Sequence, residues 1–397
     1  MLKRMLYVQY WTLRQRLHLI RLSFSALLWQ LIVGPHYRRG GKFGVTWVDV
    51  PTEEISRSHI AIVAIYPESS SSYAKSLERL LRGFVNQRVQ PCLVFNKPPS
   101  IEVERILAAT PCVRISRDNQ GRDIGAYQAG IGWLIETDRL RMVERLFLVN
   151  DTLHWTSEPD EVISSSLVGD WGAMFVNLNV KAHAQSFFLS VSGNVLNNQK
   201  FLKFWKRYVP LNSRPWAINQ GEIRLSTILI KEGFVCQPYV TAGRVKAAAN
   251  QLVGKRDQIE VFQDLEVGND GGIEPPSVCT GRFRLEASRS TREAKLGQQS
   301  KLVAEARRMN TVECVYTVAN FVNAQAPHRI GLHLALLLGL PLKTDIYKIY
   351  PLGIIDQVVR VCDPEYADDL YLRLTSKAMR FMIGTYQSHR DRMLMEK

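Results

Sequence analysis

Between residues 59 and 149 apolar positions follow two alternating rhythms. HIAIVAIYP (59–67) is an unbroken apolar run closed by a proline, which predicts a strand buried on both faces. In the following stretch, SSSSYAKSLERLLRGFVNQ, Tyr73, Leu77, Leu80, Leu81 and Phe84 recur at helical spacing behind a serine able to cap the first turn. The alternation then repeats: a strand at 90–95, a short helix at 101–109, a strand at 112–116, a helix at 124–137 and a strand at 145–149. Apolar strands alternating with helices predict a parallel α/β sheet. Right-handed crossovers place all the strands' carboxyl ends on one edge, where ligands of open α/β sheets bind. Tyr66, Asn96, residues 117–123, Asn150 and Asp151 should meet there.

Farther on, 171–178 and 185–192 predict strands. Residues 194–208 predict a helix with Phe201, Phe204 and Trp205 on one face. A helix at 220–231 would be opened by Asn219 and stopped by Gly233. From about residue 245 the pattern changes. A loop carries Asn269-Asp270-Gly271-Gly272 and Pro275-Pro276, then charged helical segments follow at 291–309 and apolar ones at 311–322 and 328–340. Three regions result: an arm at 1–48, an α/β domain at 55–245, and a mainly helical region at 246–397.

Charge singles out the arm. The net charge is +14, and residues 1–48 hold eight basic side chains (Lys3, Arg4, Arg14, Arg16, Arg21, Arg38, Arg39, Lys42) and no acid. The arm is also apolar and aromatic, but its longest weakly polar stretch, 22–34, is shorter than the ~20 residues a bilayer requires. An interfacial helix lying on anionic lipid, with Trp11 and Trp29 at headgroup depth, fits this pattern. The alternatives are a basic helix packed on the protein's own surface and a signal-anchor. Charge confined to an apolar arm, without an aromatic RNA-binding motif, argues against a nucleic-acid partner. None of the six cysteines is spaced as CxxC, which points away from a zinc site or disulfide framework and towards a reducing compartment.

Two short stretches carry candidate chemistry. In Asn119-Gln120-Gly121-Arg122-Asp123, glycine allows a tight turn into a helix whose N-terminus faces the ligand edge and suits an anion. Arg122 could fork onto a phosphate, and Asp123 could cap the helix or accept from a sugar hydroxyl. Asp151 closes a buried strand, where it could hold Mg²⁺ or Mn²⁺ shared with phosphates, or simply sit in an Asx-turn. His183 before an apolar strand reads as a structural hydrogen-bonder or a catalyst. Glu222 reads as a dipole-matched acid at a helix start or as a general base. Neither the GxxxxGK[ST] nor the GxGxxG spacing is present.

Four blocks in order, NQGRDIGAYQAGI, LFLVNDT, HAQSFFLSVSGNVLNNQKFLKFW and NQGEIRLSTILIKEGF, resemble the rhamnan synthesis protein F family. The later NAQAPHRIGLHLALLLGLPLKTDIYKIYP, with Lys343 and Asp345, is similar to a segment that follows the catalytic domain in that family. The resemblance implies a GT-A-like nucleotide-binding sheet and a glycosyltransferase of hexosyl type. It would move a sugar, such as the deoxyhexose rhamnose, from a nucleotide-sugar donor to a lipid-linked or growing cell-surface polysaccharide. It implies metal binding by Asp151, and substrate binding by Asn119, Gly121, Arg122, Asp123, Asn150 and Gln185. It implies catalysis by Glu222 as base, with His183. This chain departs from the family in having Asn150-Asp151 where two acids are usual. It would work in the cytoplasm, held peripherally on the inner face of a bacterial plasma membrane. The alternative is an inactive carbohydrate-binding or scaffold subunit on the same fold.

Overall fold

The computed structural model describes residues 17, 20–34, 43–51, 58–177, 183–241, 244, 340–343 and 369. The strands are β1 (Val45–Asp49), β2 (His59–Ile65), β3 (Gln90–Phe95), β4 (Val113–Arg117), β5 (Arg145–Asn150), β6 (Leu153–His154), β7 (Trp171–Ala173), β8 (Val176–Asn177), β9 (His183–Ala184), β10 (Phe188–Ser192), β11 (Cys236–Pro238) and β12 (Leu342–Lys343). Eight of them form one sheet in the order β1-β4-β3-β2-β5-β10-β7-β11. The four strands expected from the sequence are mutually parallel. Flanking them, β1 lies antiparallel to β4, and β10 lies antiparallel to both β5 and β7. The sheet is therefore mixed, with a parallel centre.

Side chains of β2 alternate between two cores. Ala61, Val63 and Ile65 enter one, with helices α1 (Ser71–Asn86) and α2 (Ile101–Ala108). Ile60, Ile62 and Ala64 enter the other, with α3 (Arg122–Glu136), α4 (Gln199–Arg207) and α5 (Arg224–Lys231). The connection from β4 to β5 thus runs back past β2 and β3 across the opposite face. The direction of winding reverses between β2 and β5, so the ligand crevice of an α/β sheet falls at their carboxyl ends.

Several elements depart from the sequence pattern. Residues 45–49, which overlap the arm assigned to 1–48, form the edge strand β1. The run 171–178 divides because Val176 and Asn177 leave the sheet to pair with β9. The helix at 194–208 breaks at Asn198, whose side chain accepts from the Lys200 and Phe201 N–H groups and starts α4 afresh. The helix expected from 220 starts earlier. Ser213 caps Trp216, Pro215 stands in the first turn, and residues Ala217–Ile223 form a π-helix ahead of α5. Asn219 is not the cap, since its amide donates to Pro215 O. Gly233, at φ +83°, ends α5 as its position suggests.

Residues 20–32 are helical, and Leu22 and Trp29 pack against the α3-side core beside buried Ala26. Trp29 therefore faces the protein, where the sequence pattern suggests headgroup depth. Trp11, Arg14, Asp345, the 269–276 loop and the segments at 291–309, 311–322 and 328–339 lie outside the described residues. Leu340 is buried in the α1-side core, Leu342 is buried beside it in sequence, and β12 pairs with β6 just past the end of β5. The segment 340–342, from the region beyond 245, is thus built into the core of the sheet.

Candidate active site

At the crossover between β2 and β5 the chain forms a closed group of hydrogen bonds. Asp151 N donates to Ala64 O at 3.1 Å, which continues the β2–β5 ladder one step beyond its end. The Asp151 carboxylate turns back across the gap. Its Oδ2 accepts from the backbone N–H of Tyr66 and from the hydroxyl of Tyr73 at 2.7 Å. Tyr73 is placed for this by the Ser70 cap, which receives the Tyr73 N–H and starts α1 at that point. Burial raises the Asp151 pKa to about 6; the Tyr73 and Tyr66 hydrogen bonds oppose the rise, and the charges of Asp123 and Glu68 add to it. At neutral pH the group is an anion held in an unfavourable environment beside other acids.

The glycine turn reaches the same place. Asn150 Nδ2 donates to Asp123 Oδ2 at 2.6 Å, joining the first turn of α3 to the tip of β5. Asn150 Oδ1 accepts from Thr152 Oγ1 at 2.7 Å and from Thr152 N at 3.3 Å. The Asx-turn is therefore present, but at Asn150, which leaves the Asp151 carboxylate to face Tyr66 and Tyr73. Asp123 does not cap α3: the cap position is Gly121, with no side-chain hydrogen bond.

That turn is held from both sides. Beneath it, buried Arg117 donates through Nε to Asp118 O at 2.7 Å and through Nη2 to Gln120 O. Above it, Asn212 Oδ1 accepts the Gly121 N–H at 2.7 Å, and Asn212 Nδ2 donates to Asn119 O at 3.1 Å. Gly121 has φ +74°, and a Cβ there would overlap Pro210. A Cβ on Gly125 would overlap Gln120 O, a backbone atom with no freedom to yield. Arg122 follows at φ +56°, an uncommon conformation for an arginine, with its side chain exposed.

Glu222 anchors the other half. It lies in the π-helix, a helical distortion frequent at functional sites. Its Oε1 accepts from Ser186 Oγ at 2.6 Å and Ser186 N at 3.1 Å, and its Oε2 lies 3.9 Å from Nε2 of buried His183. Gln185, between them in sequence, has a buried Oε1 without a hydrogen-bond partner in the structure. Tyr127 on α3 links the two halves. Its hydroxyl donates to Ser186 O at 2.8 Å, and its pKa is pushed well up by burial, then by the charges of Asp123, Glu222 and Asp151. Carboxylates at the β5 tip and in the π-helix therefore flank one buried tyrosine.

Of the residues singled out in the sequence, Asn150, Asp151 and Asp123 form one bonded group, with Gly121 and Arg122 on the turn beside it. Glu222 and His183 form a second group with Ser186, Gln185 stands between His183 and Ser186 in the chain, and buried Tyr127, bonded to Ser186 O, feels the charges of both groups. Asn119 is exposed and contributes its carbonyl to the Asn212 clamp. Sequence reasoning missed Tyr73 and Asn212 as site residues, and placed Arg117 at the ligand edge within 117–123 without a role of its own. Tyr73 sits in an ordinary apolar helical stripe. Asn212 is remote from the turn it holds, with only the polar Leu-Asn-Ser context to mark it. Among the described residues no three acids, histidines or cysteines cluster as a metal cage.

The model of the rhamnan synthesis protein F family matches residues 105–253. That interval contains all four sequence blocks and the residues of the site other than Tyr66 and Tyr73. A protein of Sinorhizobium fredii (strain NBRC 101917 / NGR234), described as uncharacterized protein y4gN, is 26% identical over 166 residues, which are 39% of this chain and 38% of that protein. The chain thus spans well under half the length of this relative. Two solved structures align weakly. One, assigned as a nucleotide-diphospho-sugar transferase of Desulfovibrio desulfuricans G20, has TM-score 0.27 and 9% identity, covering 46% of this chain and 79% of its own. The other, mannosyltransferase PcManGT of Pyrobaculum calidifontis in complex with GDP-Man and Mn²⁺, has TM-score 0.29 and 10% identity, covering 80% and 95%. Scores this low carry no weight for the fold or chemistry of this chain.

Proposed function

We propose that this protein is a GT-A-like glycosyltransferase that moves a hexose or deoxyhexose, such as rhamnose, from a nucleotide-sugar donor to a hydroxyl of a lipid-linked or growing polysaccharide. The observation that supports this best is that an acidic strand edge beside the N-terminal end of α3 and a glutamate held by Ser186 flank one buried tyrosine. A diphosphate leaving group needs positive charge, which exposed Arg122 and the N-terminal end of α3 can supply. An attacking hydroxyl needs a base within reach. Glu222, held through one oxygen by Ser186, would receive that proton, with His183 orientating the second oxygen. Asn119, Gly121 and Asp123 would contact the donor sugar and phosphates through the turn. Asn150 would position Asp123 and the strand tip, and the unpartnered Gln185 oxygen would accept from a sugar hydroxyl.

Asp151 and Asp123 would suit a divalent cation, because burial, with the charges of Asp123 and Glu68 adding to it, makes the Asp151 carboxylate costly and a cation would offset that cost. Mg²⁺ or Mn²⁺ there would neutralise the departing diphosphate. Asp151 and Asp123 would hold it, with Tyr66 and Tyr73 fixing the Asp151 carboxylate. The protein would act at the inner face of the plasma membrane, where a lipid-linked acceptor is presented, with 55–245 as its catalytic domain and 246–397 as an appended region.

A second reading is an inactive carbohydrate-binding subunit. It draws on Asn150, which stands where a second acid is usual, and on the two protein donors already bound to Asp151 Oδ2. Incubation of the protein with a panel of nucleotide sugars and Mn²⁺, with released nucleoside diphosphate as the readout, separates the two. A transferase releases diphosphate from one donor, and the release disappears in Glu222→Gln and Arg122→Ala. Saturable donor binding with no release in the presence of acceptor glycan establishes the binding subunit instead.

A further inference from the structure

The helix at residues 20–33 is apolar on two opposite faces, and only one of them is covered. Leu22, Ala26, Trp29 and Val33 recur at i, i+4, i+7 and i+11; Ala26 is buried, and Leu22 and Trp29 pack on the α3-side core. Ile20, Phe24, Leu27 and Leu31 recur at the same spacing on the other side, and are 63%, 60%, 51% and 66% exposed. Leu28 and Ile32 widen this outer stripe. A helix apolar all round normally belongs inside a core or a bilayer, and a contiguous exposed apolar patch marks an interaction site.

We infer that the outer stripe of this helix is a docking surface for an anionic lipid bilayer, with the helix lying in the plane of the headgroups. Charge selects lipid over a second copy of the chain. Residues 1–48 carry eight cations and no anion, and Arg21 is exposed on the helix itself. Two-fold pairing through this stripe would set like charges against each other, because a symmetric interface apposes the same patch on both subunits. An anionic leaflet complements the charge and the apolar stripe together. The helix lies on the surface rather than crossing it: among the described residues, no helix is long and apolar enough to span a membrane. Trp29, packed against the protein, fixes the helix to the sheet, so the whole domain is orientated when Phe24 and Leu31 enter the lipid. This assigns a face to the membrane association proposed above.

The test is co-sedimentation of the full chain with phosphatidylcholine vesicles, with and without phosphatidylglycerol, for wild type, Phe24→Glu and Leu31→Glu. Light scattering after gel filtration reports the oligomeric state, and circular dichroism confirms that these exposed substitutions leave the fold intact. The expected result is binding to the anionic vesicles alone, weakened roughly tenfold or more by either substitution. Diphosphate release with a soluble acceptor should be unchanged in both variants, so failure of the docking face is separable from failure of the transferase reading. Wild-type binding equal to that of the variants overturns the inference, as does absence of binding to anionic vesicles. A wild-type dimer that Phe24→Glu dissociates, without vesicle binding, assigns the stripe to a second copy and also overturns it.

Discussion

Replacing Asp151 by Asn should make the protein more stable at neutral pH and leave it inactive. In the folded state the Asp151 pKa is about 6, against an ordinary value of 3.8. The folded carboxyl therefore holds its proton more tightly than the unfolded one. Stability is lost as pH rises from about 4 to about 6, and the full penalty remains above that window. At about 1.4 kcal/mol for each tenfold change in proton affinity, the carboxylate costs about 3 kcal/mol near pH 7.5 and roughly half of that near pH 5. Asparagine keeps an oxygen able to accept from Tyr66 N and Tyr73 but carries no charge. Urea unfolding in EDTA, with wild type and Asp151→Asn compared at both pH values, should show the variant gaining on the order of 1 kcal/mol more at the higher pH. A gain independent of pH, or a variant less stable than wild type at pH 7.5, would refute the electrostatic reasoning.

Glu222→Gln keeps an acceptor for Ser186 and should unfold within about 1 kcal/mol of wild type while losing about 10²–10⁴-fold in turnover; full turnover would remove Glu222 as base. Asn212→Ala unbonds the Gly121 N–H and the Asn119 carbonyl, and should cost about 1–3 kcal/mol and speed hydrogen exchange at the Gly121 amide. Unchanged exchange at that amide would mean that Arg117 alone holds the turn. Gly125→Ala forces a methyl onto Gln120 O and should destabilise by about 1–3 kcal/mol, read as a lower urea midpoint; a neutral outcome would show that the turn can shift to admit it.

The central sheet was legible because β2, β3 and β5 are buried on both faces and read as apolar runs, while α1 and α2 each bury one face. The meeting of Asp123 with the β5 tip followed from topology alone, since parallel strands bring their carboxyl ends to one edge. The mixed character of the sheet was hidden. Strand β1 is five residues long and pairs only through the backbone of β4, so its alternation is faint in a stretch dominated by basic and aromatic residues. The π-helix was hidden because it is set by Ser213 and Pro215, upstream of the apolar periodicity that marks α5. The clamps on the glycine turn were beyond any local pattern: Asn212 lies 91 residues from Gly121, and the sequence holds no trace of that hydrogen bond. The two apolar faces of the 20–33 helix merge into one when its apolar residues are counted along the sequence. Only the packing of Trp29 shows which of the two stripes is covered.

Calorimetric titration of nucleoside diphosphates with Mn²⁺ into wild type, Asp151→Asn and Asp123→Asn tests the shared pocket at the β2–β5 crossover most directly. The account predicts one diphosphate that binds only with the cation, with affinity at least tenfold weaker in both variants. Equal affinity in all three proteins, or binding indifferent to Mn²⁺, would contradict it.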